Sequence, residues 1–374
     1  MFDVFGPLKS VLKLDEVCID NNVFRLHYKV TVIFLAAFSL LVTSRQYFGD
    51  PIDCIQRDDI PQNVIDTYCW IHATFTLPEA FDKKVGIEVP HPGVDKYRPG
   101  EQRTYHKYYQ WVCFMLFLQA CLFYVPRYMW KLWESGRLRS LVSDLNNPVK
   151  KNDDQVKLLV EYLRVHFRLH NSYFFYFVFC EVLNFFNVIL QVYLMDVFLG
   201  GAFRTYGLDV LRFTEMDQNK RTDPMVKVFP RMTKCTFHRF GSSGDVQRHS
   251  ALCILPLNII NEKIYVFLWF WMFLLGVVSF FILVYRAFTI FLPNFRFVLL
   301  RTRSRVARGY KLQAILDYTQ VGDWFLLYLI SKNVDSLKFR VVIDCLYDTL
   351  PKATQAKDEK QHLMEEEGKT HMDT

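Results

Sequence analysis

Four long segments without charged residues constrain this chain more than any other feature of its sequence. They are Val30–Ser44, Tyr108–Pro126, Val182–Met195 and Ile264–Tyr285. A helix needs ~20 mostly apolar residues to cross a bilayer, and ~17 is near the lower limit. Flanking basic side chains extend the shorter segments, because their charged ends reach back to the interface. The pattern predicts an all-α membrane protein, a bundle of four transmembrane helices with both chain ends on the same side.

Cysteines are distributed unequally among the gaps between these segments. Gap one contains Cys54 and Cys69, gap three contains Cys235 and Cys253, and the middle gap has none. Disulfides persist in oxidising compartments, so this distribution places gaps one and three on the extracellular side. A zinc site is the alternative, but the 14 and 17 residues between the paired cysteines do not match the short spacing of zinc ligands.

Four cysteines allow three disulfide pairings. In antiparallel loops held by adjacent helices, the first cysteine of one loop meets the last cysteine of the other. We therefore expect Cys54–Cys253 and Cys69–Cys235, with pairing inside each loop as the alternative. The expected bridges would link the two loops into a disulfide-stapled extracellular cap.

Basic residues near the ends of the apolar segments favour the same orientation. Arg25 and Lys29 precede the first segment, and Arg127 and Lys131 follow the second. This is the positive-inside pattern, with the termini and the middle loop in the cytosol. Gap three carries ten Lys and Arg residues of its own, but loops of that length are translocated largely regardless of charge. We therefore expect a plasma-membrane protein with cytosolic N- and C-termini.

The boundaries follow from these segments and from weaker helix signals in the water-facing parts. Amphipathic spacing predicts a helical middle loop and a helical region after the last span, and the charged chain end predicts disorder. The expected order is a cytosolic N-terminal arm (1–28), span one (29–46), extracellular loop one (47–107), span two (108–130), a cytosolic helical loop (131–172), span three (173–199), extracellular loop two (200–263), span four (264–292), a cytosolic helical region (293–350) and a disordered tail (351–374).

Composition and motifs argue against an enzyme and against a nucleic-acid-binding protein. Phosphate-loop, zinc-protease and nucleophile-elbow motifs are absent from the sequence. The net charge of +7 is carried mainly at span ends rather than in one basic patch, so we expect no nucleic-acid partner. The ten histidines show no metal-ligand spacing, and we expect no metal and no cofactor.

Span three carries four polar residues on one helical face: Glu181, Asn184, Asn187 and Gln191. An ionisable residue within a membrane is costly and is a functional candidate by default. One carboxylate with three amides makes no recognisable proton relay, so we expect this face to pack on a neighbouring helix through hydrogen bonds. On this interpretation, Glu181→Gln is tolerated.

Several short motifs are specific enough to indicate a family. The strongest is Tyr108-Tyr109-Gln110-Trp111-Val112, at the start of span two. Others are Pro51-Ile52-Asp53-Cys54, Tyr68-Cys69-Trp70, Lys234-Cys235-Thr236-Phe237, Leu255-Pro256-Leu257-Asn258, Asn261-Glu262-Lys263 and Gly322-Asp323-Trp324-Phe325. With these motifs the chain resembles the innexins, the gap-junction proteins of invertebrates.

The resemblance implies a ring of subunits around a pore, and we expect eight subunits. Two rings in apposed membranes would dock through their outer loops and pass ions and small solutes between cells at a gap junction. The resemblance also implies that the outer cysteines pair between loops and that the N-terminal arm folds into the pore, where Phe2, Asp3 and Phe5 would line it. The implied partners are further copies of this chain, other innexin subunits and membrane lipid.

Two other functions fit four spans. One is an undocked large-pore channel similar to the pannexins, and the other is a scaffold or adhesion protein similar to the tetraspanins. The sequence contains no Asn-x-Ser/Thr acceptor for N-glycosylation. This favours docking, because a sugar would obstruct face-to-face contact between outer loops. No two cysteines are adjacent, whereas tetraspanins have a Cys-Cys-Gly motif.

Overall fold

The computed structural model describes residues 17–55, 60–98, 100–143, 145, 152–215 and 223–351. The expected pore residues Phe2, Asp3 and Phe5, and the expected disordered tail from residue 352, lie outside the described residues. The helices in chain order are α1 (Asn22–Phe48), α2 (Gln62–His72), α3 (Val112–Glu134), α4 (Arg137–Val142), α5 (Asn152–Val165), α6 (Asn171–Phe198), α7 (Phe203–Glu215), α8 (Pro224–Val228), α9 (Pro256–Phe291), α10 (Pro293–Arg303), α11 (Gly309–Tyr318), α12 (Val321–Asn333) and α13 (Ser336–Asp348).

Four of these helices, α1, α3, α6 and α9, are long and apolar enough to cross a membrane. Helices α1, α6 and α9 each contain one of the charge-free segments and continue past it, whereas α3 begins four residues after the start of the segment Tyr108–Pro126. Helix α1 begins at Asn22, where the Asn21 side chain accepts a hydrogen bond from the Phe24 N–H at 2.7 Å. Helix α9 begins with Pro256, a residue that suits the first turn because its missing N–H is not needed there. The apolar segments therefore mark only the central part of α1, α6 and α9, and the second segment begins before its helix does.

Chain contacts divide the molecule into two compact units. The first, here the helical unit, comprises Met1–Lys29, Tyr124–Phe185 and Val278–Thr374. The second, here the disulfide unit, comprises Val30–Phe123 and Phe186–Val277.

The disulfide unit contains a five-stranded antiparallel sheet. Its strands are β1 (Asp53–Ile55), β2 (Thr74–Thr76), β3 (Thr104–His106), β4 (Met232–Phe240) and β5 (Val246–Ile254), in the order β1-β5-β4-β2-β3. The all-α prediction omitted this sheet and is corrected here. A weak signal was present, because β4 contains two Thr and two Phe residues and the turn sequence Gly241-Ser-Ser-Gly-Asp245 follows it.

The helical unit packs around aromatic side chains. Trp130, Phe174, Phe177, Trp324 and Phe325 are at most 1% exposed and belong to one core cluster. Helix α12 is buried on nearly all sides, and a capping box between Gln320 and Asp323 fixes its start. The apolar faces of α5 and α13 join the same core, which agrees with the helical layer that their spacing predicts.

Candidate functional site: a disulfide-linked cap and the anchor of the N-terminal arm

Two disulfides join the two cysteine-bearing gaps of the sequence. Cys54 on β1 is bonded to Cys253 on β5, directly opposite in the strand register, with the Cα atoms 3.9 Å apart. Cys69 on α2 is bonded to Cys235 on β4, with a Cα–Cα distance of 5.8 Å. Both predicted bridges are present. The paired cysteines are 199 and 166 positions apart in sequence. The bridges therefore connect two segments that no helix or hairpin brings together.

The two bridges lie side by side in a small apolar core. The Sγ atoms of Cys54, Cys69 and Cys253 all lie within 4.8 Å of one another. Ile52, Ile65 and other apolar residues bury the sulfurs, and all four cysteines are at most 1% exposed. Because these sulfurs are bonded to each other, they offer no thiolate to a metal ion.

The motif at the start of α3 fastens this core to the second long helix. The Tyr109 hydroxyl donates to the Cys69 carbonyl at 3.2 Å, and the Gln110 side-chain amide donates to the Trp70 carbonyl. Both acceptors belong to the last turn of α2, whose final carbonyls have no partner within their own helix. The motif thus caps α2 and holds the disulfide beside it. Val112 is fully buried, whereas Trp111 is 60% exposed.

Tyr108 and residues at the start of α9 make a similar set of bonds to the segment before β4. The Tyr108 hydroxyl donates to the Val228 carbonyl at 2.9 Å, and the Asn258 amide donates to the Pro230 carbonyl at 2.8 Å. Arg231 donates to the fully buried carboxylate of Glu262 at 2.9 Å. The first two turns of α9 therefore hold the segment that leads into β4.

Further polar contacts connect β2 to β3, and β4 to the segment that contains Asp95. The hydrogen bond from Lys83 keeps the pKa of Asp95 below its usual value. Lys234 donates to the Asp95 carbonyl at 2.8 Å, and burial lowers the pKa of its ammonium group. Burial also lowers the pKa of His106 to about 4, and its Nε2 lies 2.8 Å from the Thr76 hydroxyl. His106 is therefore neutral at pH 7.

The far end of the β4–β5 hairpin is exposed and apolar. Phe240 is 76% exposed and Val246 is 64% exposed, on either side of the turn that Gly241 closes by donating to the Asp245 carbonyl at 2.8 Å. Exposed apolar side chains at the end of a hairpin are a candidate contact surface for another molecule.

In the helical unit, the residues just before α1 are held firmly. The Cys18 backbone exchanges two hydrogen bonds with the Asn333 side chain, at 2.6 and 2.9 Å. The Trp130 indole donates to the Ile19 carbonyl at 3.1 Å. The buried carboxylate of Asp20 accepts from Arg25, Tyr28 and Arg127 at 2.8 to 3.0 Å. This anchor fixes the point at which the first 16 residues join the rest of the chain.

The polar face of α6 has an ionic partner that the sequence interpretation did not identify. Arg286 on α9 donates to both carboxylate oxygens of Glu181, at 2.5 and 2.9 Å, and both side chains are buried. Asn21 donates to the same carboxylate at 2.5 Å. This finding changes the prediction for Glu181→Gln, because the substitution would leave Arg286 without its counter-ion. Further along the face, Gln191 donates to Asn187 at 3.1 Å.

A second buried polar contact joins the residues just before α6 to α12. His170 lies 2.8 Å from the Asp323 carboxylate, which also accepts from the Arg168 N–H at 2.9 Å. A Cβ atom at Gly322 would lie 2.3 Å from the His170 backbone, so only glycine permits this approach. The Gly322-Asp323 motif is therefore a packing feature of the helical unit.

Comparison with known proteins places these features in a family. The family model described as Innexin matches residues 20–350. This chain belongs to the innexin family. It is 57% identical to Innexin inx2 of Schistocerca americana, over 92% of this chain and 96% of that protein. It is 57% identical to Innexin inx2 of Drosophila melanogaster over 92% and 95% of the two chains, and 48% identical to Innexin shaking-B of the same organism over 94% and 95%.

Innexins are gap-junction channel subunits, and the similarity extends over nearly the whole of this chain. The chain is accordingly a gap-junction channel subunit and a membrane protein, in a family that forms channels and is not enzymatic. The resemblance indicated by the short motifs is confirmed.

Sequence reasoning missed the anchor and ionic residues of this innexin, notably Asp20, Arg127, Arg286 and Asn333. Weak signals existed for two of them, because Arg127 and Arg286 directly follow charge-free segments. An arginine at that place pairs readily with an intramembrane carboxylate. Nothing in the sequence links Asn333 to Cys18, which is 315 residues away.

Proposed function

We propose that eight copies of this innexin form a ring, and that the ring docks head to head with a ring in the apposed cell membrane. The spans cross at residues 29–46, 108–130, 173–199 and 264–292, with both termini in the cytosol and the disulfide unit outside. The docked pair passes ions and small solutes between cells. The disulfide-linked sheet is the single observation that carries this proposal.

The orientation rests on redox chemistry. Two fully buried disulfides join the segments between α1 and α3 and between α6 and α9. Such bridges form outside the cytosol, where glutathione does not reduce them. Five other cysteines in the described structure are unbridged. Cys18 and Cys345 belong to the helical unit, which fits a cytosolic position for that unit.

Docking is supported by the exposed end of the β4–β5 hairpin. Phe240 and Val246 present apolar surface there, and the sequence has no N-glycosylation acceptor that would place a sugar nearby. The disulfides and the Tyr109 and Gln110 contacts stiffen the base of the same sheet. A rigid surface loses little conformational freedom on association, so more of its contact energy stabilises the docked state.

Assembly into a ring is supported by the long helices. Phe117 on α3, Phe186 on α6 and Phe281 on α9 are all at least 60% exposed in the isolated chain. Lipid covers part of such a surface, and neighbouring subunits cover the rest.

The arm that we propose to line the pore carries Phe2, Asp3 and Phe5. Its support is the anchor at Cys18, Ile19 and Asp20, which holds the base of the arm in one place. One Asp3 carboxylate from each subunit would form a ring of negative charge, and such rings favour cations. Asp3→Asn should lower the cation preference and leave surface expression unchanged. Unchanged selectivity, conductance and gating after deletion of residues 2–9 would remove the arm from the pore.

The decisive experiment is conductance between paired cells that express this chain alone. Voltage-dependent junctional current supports a docked homomeric channel. Dye uptake by single cells without junctional current would favour the undocked, pannexin-like alternative. Junctional current that requires a second innexin in the same cell would show heteromeric assembly, and absence of all currents with normal surface expression would favour a scaffold.

A further inference from the structure

A cavity in the helical unit has the chemistry of an anion site. Its volume is about 410 Å³, and it lies among the start of α1, the end of α9 and the middle of α12. Ligand pockets in proteins commonly measure ~300–1,000 Å³. The cavity therefore has room for a phosphorylated sugar or a phospholipid headgroup.

Positive charge predominates in the cavity wall. Arg286, Arg303 and Lys332 line it, with Asp20 as the one acidic residue among the described lining residues. The Asp20 carboxylate already accepts hydrogen bonds from Arg25, Tyr28 and Arg127, so its charge is balanced within the protein.

Arg286 has donor capacity that the protein does not use. Its Nε and Nη2 groups donate to Glu181, but its Nη1 is buried and has no hydrogen-bond partner within the described part of the chain. The residue is only 4% exposed. A buried guanidinium N–H without an acceptor is unfavourable, and an anion in this cavity supplies acceptors beside it.

The start of a long helix contributes to the same wall. Asn22 and Val23, the first two residues of α1, line the cavity. The first N–H groups of a helix have no acceptor within the helix, and the helix dipole adds partial positive charge there. Phosphate binds readily at such a position when basic side chains are also present.

The position along the chain indicates which anions can reach the site. Arg286 directly follows the charge-free segment of α9, and Asn22 precedes that of α1 by eight residues. Arg286 stands six residues before the proposed end of span four and Asn22 seven residues before the proposed start of span one, so the cavity lies toward the cytosolic ends of these spans, near the headgroups. Basic pockets between helices at that level bind phosphorylated headgroups.

We propose that this cavity binds a phosphate-bearing anion, supplied either by an acidic phospholipid headgroup or by a soluble phosphate compound. Arg303 and Lys332 are the residues whose charges are available to the anion. Arg303 is exposed, and Lys332 is half-buried with its Nζ 3.4 Å from the Asp20 carbonyl. The bound anion would bridge α1, α9 and α12 beside the anchor of the N-terminal arm. The proposal does not depend on docking or on the number of subunits.

The test uses the purified full-length channel and two probes. Native mass spectrometry counts phosphatidylinositol bisphosphate molecules retained from phosphatidylcholine nanodiscs, and calorimetry measures binding of inositol hexakisphosphate in detergent. Lys332→Gln and Arg303→Gln should each weaken binding about fivefold, the effect of one basic residue near a charged headgroup. Arg305→Gln is the matched control, since Arg305 is exposed and absent from the cavity wall.

The outcomes separate the two sources of phosphate. Retention of the lipid without binding of the soluble probe assigns a headgroup site, and binding of both probes assigns a site for free phosphate compounds. The proposal is overturned if the parent protein binds neither probe. It is also overturned if Arg305→Gln weakens binding as much as Lys332→Gln does, because general surface charge would then explain the affinity.

Discussion

At the scale of single residues, the short motifs of this innexin act mainly by donating hydrogen bonds to backbone carbonyls. Tyr109 and Gln110 hold the end of α2, and Asn258 holds the entry to β4. None of these side chains is part of a reaction, yet each satisfies a backbone carbonyl that would otherwise be unpaired. Leaving such a group buried and unpaired costs about 1–3 kcal/mol, which explains why polar side chains stand in these places.

The proximity of the two disulfides predicts an asymmetric response to mutation. Cys235→Ser frees the Cys69 thiol, whose sulfur lies within 4.8 Å of both sulfurs of the other bridge. A thiolate at that distance can attack the bridge and exchange with it. We expect non-reducing peptide mapping to find Cys69 bonded to Cys54 or Cys253. Cys69→Ser frees Cys235 instead and should leave Cys54–Cys253 intact; equal scrambling in both variants would contradict this.

The Glu181–Arg286 pair predicts a large loss of stability when one partner is removed. Glu181→Gln should destabilise the protein by ~3–5 kcal/mol, because a buried arginine loses its counter-ion. The double variant Glu181→Gln, Arg286→Met should recover much of this loss. Thermal unfolding of detergent-purified protein measures both effects. Glu161→Gln is the control, since Glu161 and its partner Arg164 are exposed and such pairs contribute little.

At the scale of secondary-structure elements, the sheet and the helices depend on different interactions. The long helices follow from apolar runs of sufficient length, and α12 follows from its capping box and its apolar sequence. The sheet instead joins short strands from two distant parts of the chain, and β1, β2 and β3 have only three residues each. Strands this short are stable only when neighbours hold them. The Cys54–Cys253 bridge fastens β1 to β5, and β2 and β3 pair with each other and with β4.

The sheet should also respond to pH through His106. Burial lowers the pKa of His106 to about 4 in the folded protein from 6.5 in the unfolded chain, so the unfolded chain binds more protons between these values. Its contribution to stability is complete above pH 6.5 and is lost as the pH falls toward 4. His106→Gln should flatten the dependence of melting temperature on pH in this window. The exposed His72, changed to Gln, should not.

At the scale of the whole molecule, the two units carry different features of a gap-junction subunit. The disulfide unit presents the exposed hairpin end, and the helical unit holds the base of the N-terminal arm. The proposed docking and the proposed pore therefore involve different parts of the chain. Variants can test the two separately.

A sugar placed on the hairpin end should block docking. Phe240→Asn creates an acceptor sequence with Gly241 and Ser242, at a residue that is 76% exposed. We expect junctional conductance to disappear while surface expression and single-cell currents persist. Phe240→Gln removes the same ring without adding a sugar and should retain more conductance. Normal coupling by the glycosylated variant would show that this end of the hairpin does not face the partner ring.

The sequence alone was sufficient to predict the membrane class, four helices long enough to span a bilayer, the cross-loop disulfides and the family. Local properties of the sequence predict these features: the length of apolar runs, the gaps that contain cysteine, and short motifs that include Tyr108–Val112. Tertiary structure alone decided the sheet, the Glu181–Arg286 pair and the anchor that joins Cys18 to Asn333. Each of these joins residues at least 100 positions apart or strands too short to show a clear period. Such contacts depend on how the helices pack together, and no local pattern of residues specifies that packing.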